Sequence, residues 1–163
     1  MKLLIVDVDN CNGCRTCELA CSLKKFLIFS PSHSRISINK MEARGLGIPQ
    51  LCEHCSKPPC LSVCPTKAIS RDEKSGLVII DSDRCTGCEF CRKVCPYGAD
   101  TIKIIEGVAS ICDHCGGDPE CVKVCQCMAL RYLDSNPSNL RDKQKYAEKR
   151  LKYLASETFR RVI

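Results

Sequence analysis

The sequence has no tryptophan and only 5% aromatic residues, so a core for its 163 residues must take its bulk from elsewhere. It also lacks long apolar runs. Stretches such as residues 3–6 and 77–80 are four residues long, far short of the roughly 20 that a spanning helix needs. With 27% charged residues, the composition speaks against a membrane-spanning protein. At the N-terminus Asp7 interrupts the apolar start before an h-region can form, so no cleavable secretory leader is expected. What the sequence has instead is cysteine, 17 in all. That density leaves disulfide scaffolds, zinc modules and iron–sulfur proteins as the leading classes. Length alone suggests one domain.

Spacing separates these classes. Sixteen cysteines form four quartets: Cys11, Cys14, Cys17 and Cys21; Cys52, Cys55, Cys60 and Cys64; Cys85, Cys88, Cys91 and Cys95; Cys112, Cys115, Cys121 and Cys125. Cys127 stands apart. The first and third quartets read C-x2-C-x2-C-x3-C, and Pro96 completes the bacterial [4Fe–4S] run after the third. The second widens one gap to x4 and ends Cys64-Pro65; the fourth widens it to x5 and ends Cys125-Gln126. Four sets of four match four [4Fe–4S] clusters. Three thiolates on a tight loop can reach one cube while the loop's N–H groups face its sulfides. Gly13 and Gly87 let the backbone turn close. The fourth cysteine lies beyond its own loop's reach, and in two-cluster proteins it ligates the neighbouring cube.

The other classes fit less well. Structural zinc pairs two C-x2-C knuckles across a longer spacer, which gives no reason for four successive quartets; a zinc-binding scaffold is the outside alternative. A disulfide framework needs an oxidising compartment, and nothing in the sequence addresses the chain to one. Radical chemistry on S-adenosylmethionine needs C-x3-C-x2-C, but Cys21, Cys64, Cys95 and Cys125 each lack a cysteine three positions later.

The chain repeats itself. Residues 3–14 and 77–88 match at seven of twelve positions, and residues 51–55 parallel 111–115. Each half, 3–64 and 77–125, is a regular quartet followed by a widened one, with about 14 extra residues in the first half. The expected class is α+β, rich in loops, with clusters replacing much of the apolar core. Short strands are expected at 3–6, 35–38, 77–80 and 101–105. A hairpin turn at 72–76 should join 68–71 to 77–80. About one helical turn should follow the third cysteine of each quartet. Residues 1–138 form the cluster domain and 139–163 a basic tail.

The segments 53–69 (EHCSKPPCLSVCPTKAI) and 85–99 (CTGCEFCRKVCPYGA) resemble the four-cluster ferredoxin-type subunits of oxidoreductases. These include subunits of the dimethyl sulfoxide reductase family, of tungsten aldehyde oxidoreductases, and of carbon monoxide dehydrogenase and hydrogenase systems. The resemblance covers about residues 1–133. It implies two bacterial-ferredoxin-like dicluster modules, four [4Fe–4S] clusters and no catalytic residue in this chain. It pairs the first quartet with the last and the central two together. The implied ligand sets are Cys11, Cys14, Cys17 and Cys125; Cys112, Cys115, Cys121 and Cys21; Cys52, Cys55, Cys60 and Cys95; Cys85, Cys88, Cys91 and Cys64. Spacing alone equally permits pairing of consecutive quartets. Cys21 and Cys125 depart from the pattern, since Ser22 and Gln126 stand where proline is usual.

The resemblance further implies an electron-transfer subunit of an anaerobic, cytoplasmic, heteromeric complex. One partner would be a large catalytic subunit, the other a flavoprotein or soluble ferredoxin. A tungsten or molybdenum pterin enzyme oxidising aldehydes is favoured, because the chain is short and lacks a long insertion or membrane-anchor docking extension. Coupling to carbon monoxide dehydrogenase or hydrogenase comes second, a free polyferredoxin third.

Charge does not indicate nucleic acid. Four oxidised cubes with their thiolates add about −8 to the chain, against a formal +6. The basic excess lies in residues 139–163, with eight Lys/Arg and three Asp/Glu. After Asn136-Pro137 a helix is expected over about 140–161. Leu140, Ala147, Leu151, Leu154 and Val162, with Ala155 and Phe159, form an apolar stripe. Lys143, Lys145, Lys149, Lys152 and Arg160 crowd the rest. Such a helix either packs on its own cluster core or docks on a partner or a second copy. Cys127 reads as a small packed residue or a redox thiol. His54 and His114, inside C-x-H-C loops, read as donors to cluster sulfur or as satisfied loop histidines. Lys57-Pro58-Pro59 is a rigid spacer.

Overall fold

The computed structural model describes residues 2–160, with side chains through residue 156. Four two-stranded antiparallel ribbons carry the fold. Strand β1 (Lys2–Val6) pairs with β8 (Leu130–Asp134), with Leu4 opposite Tyr132. Next, β2 (Ser37–Met41) pairs with β3 (Leu46–Gln50), β4 (Ile69–Arg71) with β5 (Val78–Ile80), and β6 (Lys103–Ile105) with β7 (Val108–Ser110). Helix α1 (Thr16–Phe26) is followed by three helices of four residues: α2 (Pro59–Ser62), α3 (Phe90–Lys93) and α4 (Glu120–Lys123). Helix α5 (Pro137–Arg160) closes the described chain. Among the described residues no helix is long and apolar enough to cross a membrane.

Local chemistry explains the turns. Between β4 and β5, Asp72 accepts the Ser75 N–H on its carboxylate at 2.8 Å and the Gly76 N–H on its carbonyl at 2.8 Å. Between β6 and β7, Glu106 and Gly107 both have positive φ, 52° and 79°, as a two-residue hairpin turn demands. The strand expected at 35–38 starts later, at Ser37. Ser34 instead folds on itself, donating from its hydroxyl to the Ile36 carbonyl at 2.6 Å, and the Arg35 N–H turns to the Cys21 sulfur at 3.3 Å. The 101–105 strand is likewise shortened, because residues 99–101 close a 3-10 turn. In the first half the extra residues lengthen α1 and the β2–β3 ribbon relative to α3 and β6–β7, so α1 exceeds the single turn expected there.

Two small apolar cores result. In the first, Leu4, Val6, Val8, Ile36, Ile38, Ile48 and Leu130 pack around Cys11, Cys17, Cys21 and Cys121. In the second, Ile69, Val78, Ile102, Ala109 and Ile111 pack around Cys91. The first core thus joins the two ends of the cluster region, and the second is built from its middle.

Helix α5 starts at Pro137, three residues before the expected 140, because proline suits the first helical position. Asn136 caps it, accepting the Asn139 N–H at 2.8 Å. It lies against β1, with Tyr153 and Leu154 packed on the first core. Leu140, at the head of the expected stripe, is 47% exposed, whereas Arg150 is fully buried. Arg150 donates to the Glu53 carboxylate and to the Pro49 carbonyl, and stacks 5.0 Å from the Tyr97 ring. Lys143 also holds Glu53, and Lys149 pairs with Asp9. The helix packs on its own cluster core. Val162 lies outside the described residues, as does the Phe159 side chain.

Candidate metal centres

The structure gathers the sixteen quartet cysteines into four crossed sets. Cys11, Cys14 and Cys17 line one cavity with Cys125. Cys52, Cys55 and Cys60 line another with Cys95. Cys85, Cys88 and Cys91 line a third with Cys64. Cys21 and Cys121 pack in the first core with Cys112 against it, and Cys115 acts electrostatically on both Cys21 and Cys121, which completes the last set. Each fourth cysteine therefore leaves its own loop: the first quartet exchanges with the last, and the central two with each other.

The sets also fall in a sequence in space. After burial, Cys95 and then Cys91 are the leading influences on the Cys60 thiol, Cys112 the leading charge on Cys52, and Cys17 one of those on Cys121. The order is the Cys88 set, the Cys52 set, the Cys112 set and the Cys14 set. Cys14 and Cys88 are the exposed members, one in each terminal set.

The residues fit polyatomic anionic clusters better than single ions. Among the described residues, no three Cys, His, Asp or Glu side chains converge where one metal ion could bind them. Four thiolates about 2.3 Å from one zinc would leave no cavity between them. The third residue of every quartet has positive φ: Gly13 72°, His54 51°, Gly87 66° and His114 52°. Such left-handed turns aim successive N–H groups at one point, a nest suited to an anion. Sulfur also receives hydrogen bonds. The Ala109 N–H donates to Cys85 at 3.4 Å, and the Thr101 hydroxyl lies 3.0 Å from the Cys95 sulfur. Burial pushes the Cys17, Cys52 and Cys112 thiols up to about 12, so a metal must displace their protons to bind.

Close backbone approach shapes two of the cradles. A Cβ on Gly47 would lie 2.7 Å from the Gly13 Cα and 2.8 Å from the Cys11 sulfur. One on Gly87 would overlap the Gly107 carbonyl oxygen. Gly47→Ala is therefore expected to cost about four irons, the content of one cube, by iron analysis of the anaerobically purified protein. Full iron content would mean that β3 shifts freely away from the first loop. A glycine inside a strand was the sequence signal for this approach.

Cys127 sits half-buried in the first cavity, its sulfur 3.8 Å from that of Cys125. Thr66 holds the matching place in the second quartet, its hydroxyl 3.7 Å from the Cys64 sulfur. His54 and His114 are both buried and meet edge to face, ring centroids 4.8 Å apart. Burial, then neighbouring cationic charge, lowers His54 to about 3 and His114 to about 4. Sequence reasoning found both histidines but not their contact. It missed Glu53 and Arg150 altogether.

Comparison with known proteins gives a consistent picture. A family model described as a 4Fe-4S dicluster domain matches residues 44–135. The polyferredoxin-like subunit of an aliphatic sulfonate oxidoreductase from Pyrococcus furiosus is 39% identical over 122 residues, covering 75% of this chain and 70% of that one. The B subunit of the anaerobic dimethyl sulfoxide reductase of Escherichia coli is 36% identical over 150 residues, covering 81% and 71%. The thiosulfate reductase electron transfer subunit PhsB of Salmonella typhi is 33% identical over 143 residues, covering 80% and 74%. One polypeptide of the active site complex BamBC of benzoyl coenzyme A reductase, solved with benzoyl-CoA, shares the fold. Its TM-score is 0.50 at 24% identity, with 98% of this chain and 97% of that one covered.

Proposed function

The chain belongs to the 4Fe-4S dicluster domain family, and we propose that each of its four cysteine sets holds one cube, making the subunit a relay between two partners. It is an iron–sulfur electron-transfer subunit of an oxidoreductase complex, with [4Fe–4S] clusters as its cofactors. In this reading the ligands are Cys11, Cys14, Cys17 and Cys125; Cys112, Cys115, Cys121 and Cys21; Cys52, Cys55, Cys60 and Cys95; Cys85, Cys88, Cys91 and Cys64. Bound cubes supply one-electron redox centres whose potentials depend on hydrogen bonding and solvent access. The chain's own part is to hold, space and shield them. The observation that carries the reading is the serial order of the sets, with Cys14 and Cys88 exposed at opposite ends.

The catalytic partner in this reading is a tungsten or molybdenum pterin oxidoreductase, with aldehyde oxidation the favoured case. The other partner is a flavoprotein or soluble ferredoxin, and the setting is the cytoplasm of an anaerobe. Support comes from the family-level resemblance and from the 39% identity to a polyferredoxin-like subunit of an oxidoreductase. The test is anaerobic co-purification from the native source, followed by metal analysis. About sixteen irons are expected in this chain, with tungsten or molybdenum in the larger one. Aldehyde should bleach the visible absorbance of the complex. A partner without either metal defeats the pterin reading. Zinc in this chain with no visible absorbance defeats the cluster reading. In the same preparation Cys127→Ser should keep all the iron, whereas Cys125→Ser should lose about four.

A further inference from the structure

The two cysteine modules touch at a pair of histidines that the relay as described does not use. His54 lies in the loop of the Cys52 set, His114 in the loop of the Cys112 set, and these two sets are neighbours across the module boundary. The rings meet at 4.8 Å and 87°, and Tyr132 extends the stack 5.5 Å beyond His114. His54 Nδ1 lies 3.8 Å from the Cys52 sulfur and accepts the Val78 N–H at 2.9 Å. Its proton is thereby fixed on Nε2. The Nε2 atoms of both rings are buried with no hydrogen-bond partner among the described residues, so neither ring is fully satisfied by its own surroundings.

The backbone adds a second argument. The equivalent position in the first and third quartets is glycine, with positive φ. His54 and His114 take the same left-handed conformation at 51° and 52°, which strains a residue with a Cβ. Histidine stands at this position only in the two loops that face each other. Strain accepted twice, at one contact, points to a role at that contact.

Resting on the relay reading above, we propose that the His54–His114 ring contact is the junction through which electrons cross between the two modules. The ring contact links the two loops, where a void would have no atoms to couple them. One electron passes from one module to the other. No bond forms or breaks, no proton moves, and the rings end as they began.

The test is pulse reduction of the anaerobic holoprotein with less than one electron per molecule, followed by freeze-quench EPR. Redistribution of the electron among the cubes is read as a rate independent of protein concentration. The double variant His54→Ala with His114→Ala should keep its iron and its equilibrium reduction potentials. Its inter-module redistribution should be severalfold slower. His54→Phe with His114→Phe, which keeps the ring contact, should redistribute at close to the parent rate. If the double alanine variant loses iron, the single variant His114→Ala, with its smaller void, is measured for the same slowing. An unchanged rate in an alanine variant with full iron overturns the junction and leaves the relay standing. A phenylalanine pair as slow as the alanine pair also overturns it, since the contact would then not be what carries the electron. Shifted equilibrium potentials would overturn it in favour of hydrogen bonding to a cluster. Absence of [4Fe–4S] absorbance in the parent protein would refute the relay reading itself.

Discussion

Removing the iron from the anaerobically prepared protein is expected to abolish its cooperative thermal transition. The ribbons are the reason. Each has only two strands, of three to five residues, and an isolated two-stranded ribbon is marginal at best in water. The second core contains six buried residues, one of them Cys91. In the first core, four of fourteen are cysteines. Three of the cysteine sets line cavities, and with nothing inside, those linings lose packing on one side. Structural zinc sites contribute on the order of 10 kcal/mol to folding, as much as the whole stability of an ordinary domain. Four clusters held by sixteen thiolates should matter at least that much. The check is circular dichroism during heating, with and without a strong iron chelator. A chelated chain that melts cooperatively at the temperature of the parent would show that the protein atoms alone suffice.

Local signals make much of this protein legible in its sequence, and long-range ones set the limit. Quartet spacing reflects how far a short loop can reach, so the cysteines group without any tertiary information. The Asp72 turn and the Asn136 cap are also local, and they mark the β4–β5 hairpin and the start of α5. The β1–β8 pairing joins residues 2–6 to 130–134, and nothing within either strand names the other. Val108–Ser110 is too short to announce a strand, although Glu106-Gly107 is the turn that makes it one. The tail shows the limit most clearly. Its apolar stripe and its basic excess are both visible, but in sequence the cations look like a face for an acidic partner. Instead Lys143 and Arg150 go to Glu53, and Lys149 to Asp9. Arg150 and Glu53 lie 97 positions apart, so a buried arginine among many exposed basic residues has no sequence mark. The two histidines are conspicuous singly. Their meeting depends on the crossing of the quartets, which spacing leaves open.

Arg150→Ala is expected to destabilise the holoprotein by about 3–5 kcal/mol, the usual cost of removing one partner of a buried ion pair. Arg150 is fully buried, and the Glu53 side chain is 8% exposed. Glu53 stands between Cys52 and Cys55, and Tyr97 follows Cys95 and Pro96, so Arg150 ties α5 to two parts of one cysteine set. Without the guanidinium, Glu53 would keep only Lys143, at 3.5 Å, and the Tyr97 ring would lose its cation. Arg150→Lys should not rescue fully, because an ammonium cannot reach Glu53 and the Pro49 carbonyl while stacking flat on Tyr97. Deleting both charges separates the cost of an unpaired carboxylate from the worth of the pair. Arg150→Met combined with Glu53→Gln should recover much of the stability that Arg150→Ala loses. The measurement is anaerobic denaturant unfolding of the three variants, each with its iron content determined first. If Arg150→Ala unfolds within about 0.5 kcal/mol of the parent, as an ordinary surface change would, α5 is not held to the clusters through this pair. The apolar contacts of Tyr153 and Leu154 would then be its main anchor.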